Sequence, residues 1–313
     1  MKILGIGESV IDNVRIIQGH KNDLPSFIVS ESQHLGGPVL SALILLSRLN
    51  IDCTLLTSLG RDNEAEIIRQ KIEEENIKVI TNLEEKTKIN IILINVQNGH
   101  REKLRGAVKH APIINISTEF IQQFDLIIMD RHERKAFYEI VSKKKPSAKI
   151  VIDPSTEVSD FTLDMMRYAD YPIIPIESLV KIGKGKKLEI CLKHIYEICQ
   201  KPIIITAGEL GSLIYDGKKL ELIPAFQIKV VDTTGAGDIY RGAFVYGLIQ
   251  GLSLSKCASF ANGVAALQCT KLGNVSAIPH EKEVKLLTGL FNQRRILNLS
   301  TVNNYYLDLH QSI

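Results

Sequence analysis

The sequence predicts an α/β fold: a mostly parallel central sheet flanked by helices, with a small β lid. Two observations predict it. Short β-branched runs are each followed by a longer stretch of helical period, and strands alternating with helices build βαβ units and a parallel sheet. Two segments break that alternation, Val10 to Ser30 and Thr87 to Lys109, both rich in Val, Ile, Asn and Gly, and these read as a β layer added to the main sheet. In sheets of this kind ligands sit beyond the carboxyl ends of the strands, so the residues just after each run are the candidates for function.

In chain order, Lys2 to Ile6 is the first strand, and Val39 to Leu49 is an apolar helix. Cys53 to Thr57 is a strand leading into the helix Glu64 to Glu75. Lys88 to Val96 alternates apolar and polar residues before a turn at Asn98-Gly99. Phe124 to Asp130 is a strand followed by the helix Glu133 to Ser142, and Ile150 to Ile152 and Ile203 to Thr206 are further buried strands. Ser212 to Tyr215, Asp216-Gly217 and Lys218 to Ile223 form a hairpin ended by Pro224. The expected organisation is a core of 1–9, 36–85 and 111–313, with 10–35 and 86–110 as the lid.

Composition narrows the classes of function. The 313 residues are 45% apolar and 23% charged, and 38 Lys and Arg against 35 Asp and Glu give a net charge of only +3. That balance offers no broad basic surface for nucleic acid or an anionic membrane. The densest apolar run, Val39 to Leu49, falls short of the roughly 18 residues a membrane span needs, and Glu8 and Asp12 interrupt any secretory leader. A cytoplasmic protein is expected. Five cysteines without a C-x-x-C pair suggest neither a disulfide framework nor a zinc knuckle. The basic clusters at Lys143 to Lys145 and Lys181 to Lys187 read as solvated faces.

The most informative stretch is Val230-Val231-Asp232-Thr233-Thr234-Gly235-Ala236-Gly237-Asp238, running into an apolar helix from Ile239. Gly235, Ala236 and Gly237 let backbone N–H groups approach an anion, and the helix start adds the positive end of its dipole. Such a hole suits a phosphoryl group in transfer, and the same field is expected to keep Asp238 ionised, ready to take a proton from an attacking hydroxyl.

Asp232-Thr233-Thr234-Gly235-Ala236-Gly237-Asp238 resembles the C-terminal signature of the ribokinase-like, or PfkB, carbohydrate and nucleoside kinases, and the resemblance runs in order along nearly the whole chain up to about Glu281. It implies a ribokinase-like fold, an ATP-dependent kinase, Asp238 as catalytic base and Gly235, Ala236 and Gly237 as the anion hole. Gly5-Ile6-Gly7-Glu8 with Asp12 resembles the first strand and its sugar-binding aspartate, and Gly36-Gly37 the substrate-side di-glycine motif. Gly60-Arg61-Asp62 resembles the Gly-x-Asp turn. Arg101 resembles a lid arginine that meets the substrate, while Thr206, Gly208 and Gly211 match the segment under the nucleotide. Asn262 and Gly273, with Thr234, are implied on the nucleotide side. Mg²⁺ is implied with ATP, and potassium at oxygens near Asp232, Thr234, Cys269 and Gly273 is compatible with the pattern. Family lids often pair, which makes a homodimer through the lid an expectation.

The chain also departs from the family pattern. Ser41 stands where Asn is usual, which leaves the choice of sugar open, and the usual Asn-x-x-Glu is replaced by Ile176-Glu177-Ser178-Leu179, leaving Glu177 as the nearest acid for Mg²⁺. Ser155 follows Asp153-Pro154 where Asn is common. Asp130-Arg131-His132, at the end of a strand, resembles a cluster of kinases acting on ketoses or on phosphorylated and sulfonated sugars. Arg131 would bind an anionic substituent bidentately or pair with Asp130 at a helix cap, and His132 and His110 read as structural. The reading is a kinase of a small sugar or sugar derivative. The alternatives are a nucleoside kinase and a catalytically weak sugar- or nucleotide-binding relative; a dehydrogenase is disfavoured because Val10 stands where a dinucleotide fingerprint needs its third glycine. The tail from Arg294 has no assigned role.

Overall fold

A computed structural model describes residues 1–19, 27–96, 101–109, 111–287 and 297–312. Its strands are β1 (Lys2–Ile6), β2 (Val10–Gln18), β3 (Phe27–Gly36), β4 (Asp52–Leu59), β5 (Lys78–Leu83), β6 (Ile89–Asn95) and β7 (Arg101–Arg105). They continue with β8 (Leu126–Asp130), β9 (Lys149–Asp153), β10 (Tyr171–Pro175), β11 (Ile203–Thr206), β12 (Gly211–Tyr215) and β13 (Leu220–Pro224). Nine of them form one sheet in the order β13-β12-β11-β10-β9-β8-β1-β4-β5, parallel from β5 through β11 and closed by the antiparallel hairpin β12–β13. The parallel strands are nearly all apolar because helices cover both faces.

On one face Leu43, Leu46, Phe244, Val264 and the buried side of helix Asn63–Glu74 make one core; on the other Phe137, Met165, Leu192 and Val302 make a second. Helix Pro38–Arg48 buries every residue from Val39 to Leu46, because it is sandwiched between the sheet and helix Ala236–Ile249. Asp62 caps helix Asn63–Glu74 through Ala65 N–H at 3.0 Å, and its other oxygen accepts Thr87 N–H at 2.7 Å, anchoring the chain where it leaves for β6.

The remaining four strands form the lid sheet, in the order β3-β2-β6-β7. It is mixed: β2 pairs antiparallel with β3 and parallel with β6, whose partner β7 is again antiparallel. The strands β3 and β5 were not separable by periodicity, because β3 is largely exposed and β5 lies at the sheet edge. The turn expected at Asn98-Gly99 lies outside the described residues, as does His110. The second hairpin turns over 216–219, one Asp216 oxygen accepting the N–H groups of Lys218 and Lys219 at 2.9 and 2.7 Å, so β13 begins later than the Asp216-Gly217 turn implied.

The C-terminal helix Leu299–Ser312 packs on the chain's own core. Tyr306, 1% exposed, places its hydroxyl 3.1 Å from Cys191 Sγ and 3.1 Å from the Lys186 carbonyl. All five cysteines are unpaired and buried, and among the described residues no helix is long and apolar enough to cross a membrane.

Candidate active site

Helix Ala236–Ile249 starts on Gly235, which holds a left-handed backbone at φ 77°, and a Cβ there would collide with the Asn274 side-chain oxygen. Among the described residues the N–H groups of Gly235, Gly237 and Asp238 have no hydrogen-bond acceptor, while Ala236 N–H closes on the Thr233 carbonyl at 3.2 Å. Open donors therefore cluster at the positive helix end, with Ala236 spent on the turn itself. The Asp232 carboxylate braces this turn by accepting Thr234 N–H at 2.9 Å and Gly273 N–H at 3.0 Å.

Asp238 lies in the first turn with its side chain 22% exposed. Burial raises its carboxyl to about 7, against the opposing charge of Arg241 and with the help of Asp153. Near neutral pH the carboxyl is therefore shared between its charged and neutral forms, rather than held fully ionised as the sequence leads one to expect. Arg241, 6% exposed, links two carboxylates, reaching Asp153 at 2.6 Å and Asp238 at 3.1 Å. From the lid, Lys103 of β7 comes within 3.5 Å of Asp12, and its charge also acts on Asp238. Asp12 accepts a hydrogen bond from buried Asn90 at 2.7 Å, a pair made by the β2–β6 register that sets these two residues opposite each other.

The order of the main sheet reverses at β1, with β4 to one side and β8 to the other, which puts a crevice at their carboxyl ends. Glu8 follows β1 and ion-pairs with Lys88; its N–H donates to Asp130 at 2.9 Å, and its carboxylate lies 3.6 Å from the His132 ring. Burial works to raise the Glu8 carboxyl, but His132 and Lys88 hold it below the usual range. Burial pushes Asp130 up to about 8 and His132 down to about 4, leaving the imidazole neutral. The expected Asp130–Arg131 pair does not form. Asp130 accepts the N–H groups of Glu8 and His132, and Arg131 turns to Glu157 at 2.7 Å. A cavity of about 290 Å³ opens here, lined by Glu8, Lys88, Arg105, Arg131, His132 and Glu157.

Gly36 ends β3 with its α-carbon against the Asp12 carboxylate, and Gly37 caps the next helix at φ 130°, packed on the Glu8 carbonyl. Ser41 is wholly buried one turn further on, and its hydroxyl has no hydrogen-bond partner among the described residues. Backbone pairing joins Arg101 to Ile94; its side chain lies outside the described residues.

A second cavity of about 420 Å³ runs from the glycine turn to an apolar wall of Phe226, Val230, Ala265 and Ala266. Thr206, Gly208, Gly211 and Asn262 line it, together with Glu177, Ala236, Gly237 and Tyr240. Asn262 donates its amide N–H to the Ile223 carbonyl at 3.0 Å and accepts the Ser212 hydroxyl on its side-chain oxygen at 3.3 Å, so it holds the wall in place. Thr234 and Gly273 serve the turn through their backbones.

A turn of open N–H donors, a carboxyl raised to about 7 and a slot lined by apolar side chains stand together at the ends of a doubly covered parallel sheet, and the sequence pattern decides the family. Residues 2–281 match that of the pfkB family carbohydrate kinases. This chain belongs to the pfkB family. An uncharacterized sugar kinase of Pyrococcus horikoshii is 25% identical over 290 residues, 87% of this chain and 91% of its own. Lactococcus lactis ribokinase is 32% identical over 171 residues, 53% of this chain and 55% of its own. The crystal structure of Thermotoga maritima ribokinase superposes with a TM-score of 0.82 at 21% identity, covering 92% of this chain and 99% of that one. As a pfkB-family member the protein is a phosphotransferase with a ribokinase fold, its lid built from the second sheet.

The oxygens expected to hold potassium are already engaged. Asp232 accepts two N–H groups, the Cys269 carbonyl accepts Val231 and Asp232 N–H at 2.8 and 3.3 Å, and the Thr234 and Gly273 carbonyls face the Gln268 amide. This donor set does not fit a monovalent cation. Among the described residues no cluster of three His, Cys, Asp or Glu could hold a metal, but Glu177 presents one carboxylate to the second cavity, which fits an ion that keeps most of its waters. Arg241, Lys103, Asn90 and Gln268 were missed in sequence. The one available signal was Arg241, a lone cation three residues after Asp238 in an otherwise apolar helix.

Proposed function

We propose that this kinase transfers the γ-phosphoryl group of ATP to a hydroxyl of a small sugar or sugar derivative, with Asp238 as general base. The observation that carries the reading is the Asp238 carboxyl, raised to about 7 at the mouth of open helix N–H groups and beside the slot lined by Gly237 and Ala236. A base poised near the working pH accepts a proton efficiently without being locked in either state. The substrate hydroxyl gives its proton to Asp238 as its oxygen bonds to the γ-phosphorus, the bond from that phosphorus to the β–γ bridging oxygen breaks, and ADP leaves. The N–H groups of Gly235 and Gly237 face the charge that grows on the transferring group.

ATP would lie along the second cavity, its base against Phe226, Ala265 and Ala266 and its phosphates toward Gly237. Bound with ATP, Mg²⁺ would neutralise charge on the β- and γ-phosphates, with Glu177 the residue to hold its water shell. Asp12, with Gly36 leaving space beside it and Gly37 opening the next helix, would receive sugar hydroxyls from beneath the lid, and Arg131 with Lys88 would meet polar or anionic substituents in the first cavity. Division into a core of 1–9, 36–85 and 111–313 and a lid of 10–35 and 86–110 agrees with the two separate sheets. Lid-to-lid pairing into a homodimer is supported by the outer edge strand β3, where Phe27, Ile28 and Val29 are exposed.

The test is ADP release by purified protein with Mg·ATP against pooled ketoses, aldoses, sugar phosphates and nucleosides. Release with a sugar pool bears the proposal out; release with nucleosides alone replaces the sugar, and ATP binding with no release in any pool overturns the transfer.

A further inference from the structure

Gln268 is fully buried near the end of helix Leu254–Cys269. Its side-chain NH₂ donates to the backbone carbonyls of Asn274 at 2.9 Å, Thr234 at 3.3 Å and Gly273 at 3.4 Å. All three neighbours are carbonyl oxygens, which only accept, so the group facing them is the amide nitrogen. The amide oxygen has no hydrogen-bond partner among the described residues, so the side chain is held by its NH₂ end.

Converging backbone carbonyls next to a carboxylate are the ligands a weakly hydrated monovalent cation takes up. Here the convergence is filled by a neutral donor. The nearby Asp232 carboxylate, which a cation would otherwise neutralise, is met by the Thr234 and Gly273 N–H groups. The two loops so joined, 232–234 and 272–274, are those that carry and underlie Gly235, whose α-carbon rests on the Asn274 side chain.

We infer that Gln268 replaces the monovalent cation in this chain, tying the two loops through its amide so that the glycine turn is held in shape without potassium. The inference rests on the proposed phosphoryl transfer for its kinetic consequence but not for its structural one. Gln268 touches no substrate; it is a positioning residue acting through the Thr234, Gly273 and Asn274 carbonyls. An amide supplies dipoles for those carbonyls and no net charge near the phosphoryl group, so the turn owes its geometry to the tie and its anion affinity to its own N–H groups.

The experiment compares chloride salts of potassium and tetramethylammonium at equal ionic strength, reading kcat, KM for ATP and thermal midpoint, alongside rubidium anomalous scattering from soaked crystals. The native protein should show kcat equal within about twofold in the two salts, one thermal midpoint and no rubidium peak at the carbonyls. Gln268→Ala empties the site: kcat should fall roughly tenfold or more in tetramethylammonium with the larger effect on kcat than on KM, potassium should restore much of it, and rubidium should appear at the vacated position. Gln268→Met keeps the volume without the donors, so it should fold, turn over slowly and ignore the salt. Marked potassium activation or a rubidium peak in the native protein overturns the inference, as does native kcat in Gln268→Met or a Gln268→Ala protein that is slow and indifferent to potassium. The thermal midpoints and the rubidium map require no turnover, so they decide the role of Gln268 even if no substrate panel member is phosphorylated.

Discussion

Asp238 carries the most specific expectations at the scale of single residues. With its carboxyl raised to about 7 the basic form accumulates above that pH, so kcat/KM should climb from pH 6 to pH 8 and then level off in an initial-rate profile. His132, already neutral with its ring held down near 4, should leave that limb in place when replaced by Asn. Asp238→Asn should lower kcat by about 10²–10⁴-fold while ATP binding, measured by calorimetry, persists. The same shift has a stability consequence of the opposite sign: a carboxyl raised on folding binds its proton more tightly in the native state, so native stability falls as pH rises from the unfolded value towards 7. Urea unfolding should therefore find Asp238→Asn gaining on the native protein between pH 5 and pH 8. Arg241→Met strips the counter-charge from two carboxylates at once, Asp153 being 4% exposed at its side chain. It should cost about 3–5 kcal/mol and move the acid limb of kcat/KM to higher pH. Asp238 stands out in the sequence because the turn that presents it is local, seven residues from Asp232 to Asp238. The importance of Arg241 does not, because its second partner arrives on a distant strand.

Elements place these groups, and their ends are the sensitive points. Gly37 begins helix Pro38–Arg48 at φ 130° with no room beside the Glu8 carbonyl. Gly37→Ala should lower the thermal midpoint and weaken sugar binding together, since the strain sits between β1 and the helix that follows β3. The C-terminal helix offers a milder test: Tyr306→Phe leaves the ring packing and removes the hydroxyl contacts to Cys191 and Lys186, for a loss of about 0.5–1.5 kcal/mol in chemical denaturation with kcat unchanged. Strands β1, β4, β8 and β11 and the helices Pro38–Arg48 and Asn63–Glu74 are legible from their apolar pattern, because each repeats one pattern for a full element, whereas the edge strand β5 is not. For Ser41, position in a motif indicates which helix carries the residue, whereas its complete burial is set by packing against helix Ala236–Ile249. Gln268 reads as one more polar residue near a helix end, and only the convergence of two loops on it reveals three carbonyls.

At the scale of the molecule, the core supplies the turn and the slot while the lid supplies Asp12, Asn90 and Lys103. The lid owes its form to pairing between distant parts of the chain. Its central ladder joins Ile11 to Ile89 and Asp12 to Asn90 in parallel, so the two halves leave the core separately and meet only above it. Bringing such remote segments together carries a loop-closure penalty that the intervening β4, β5 and helix Asn63–Glu74 must first shorten by folding. The lid sheet should therefore assemble after the core in time, and Asp12, whose partner Asn90 arrives with that ladder, should be the last part of the site to acquire its native surroundings. On dilution from denaturant, helical circular dichroism would recover first and sugar-dependent turnover later, with the interval between them marking the birth of the ladder; a chain just released from the ribosome would for that interval hold a finished phosphate turn and no finished seat for the acceptor.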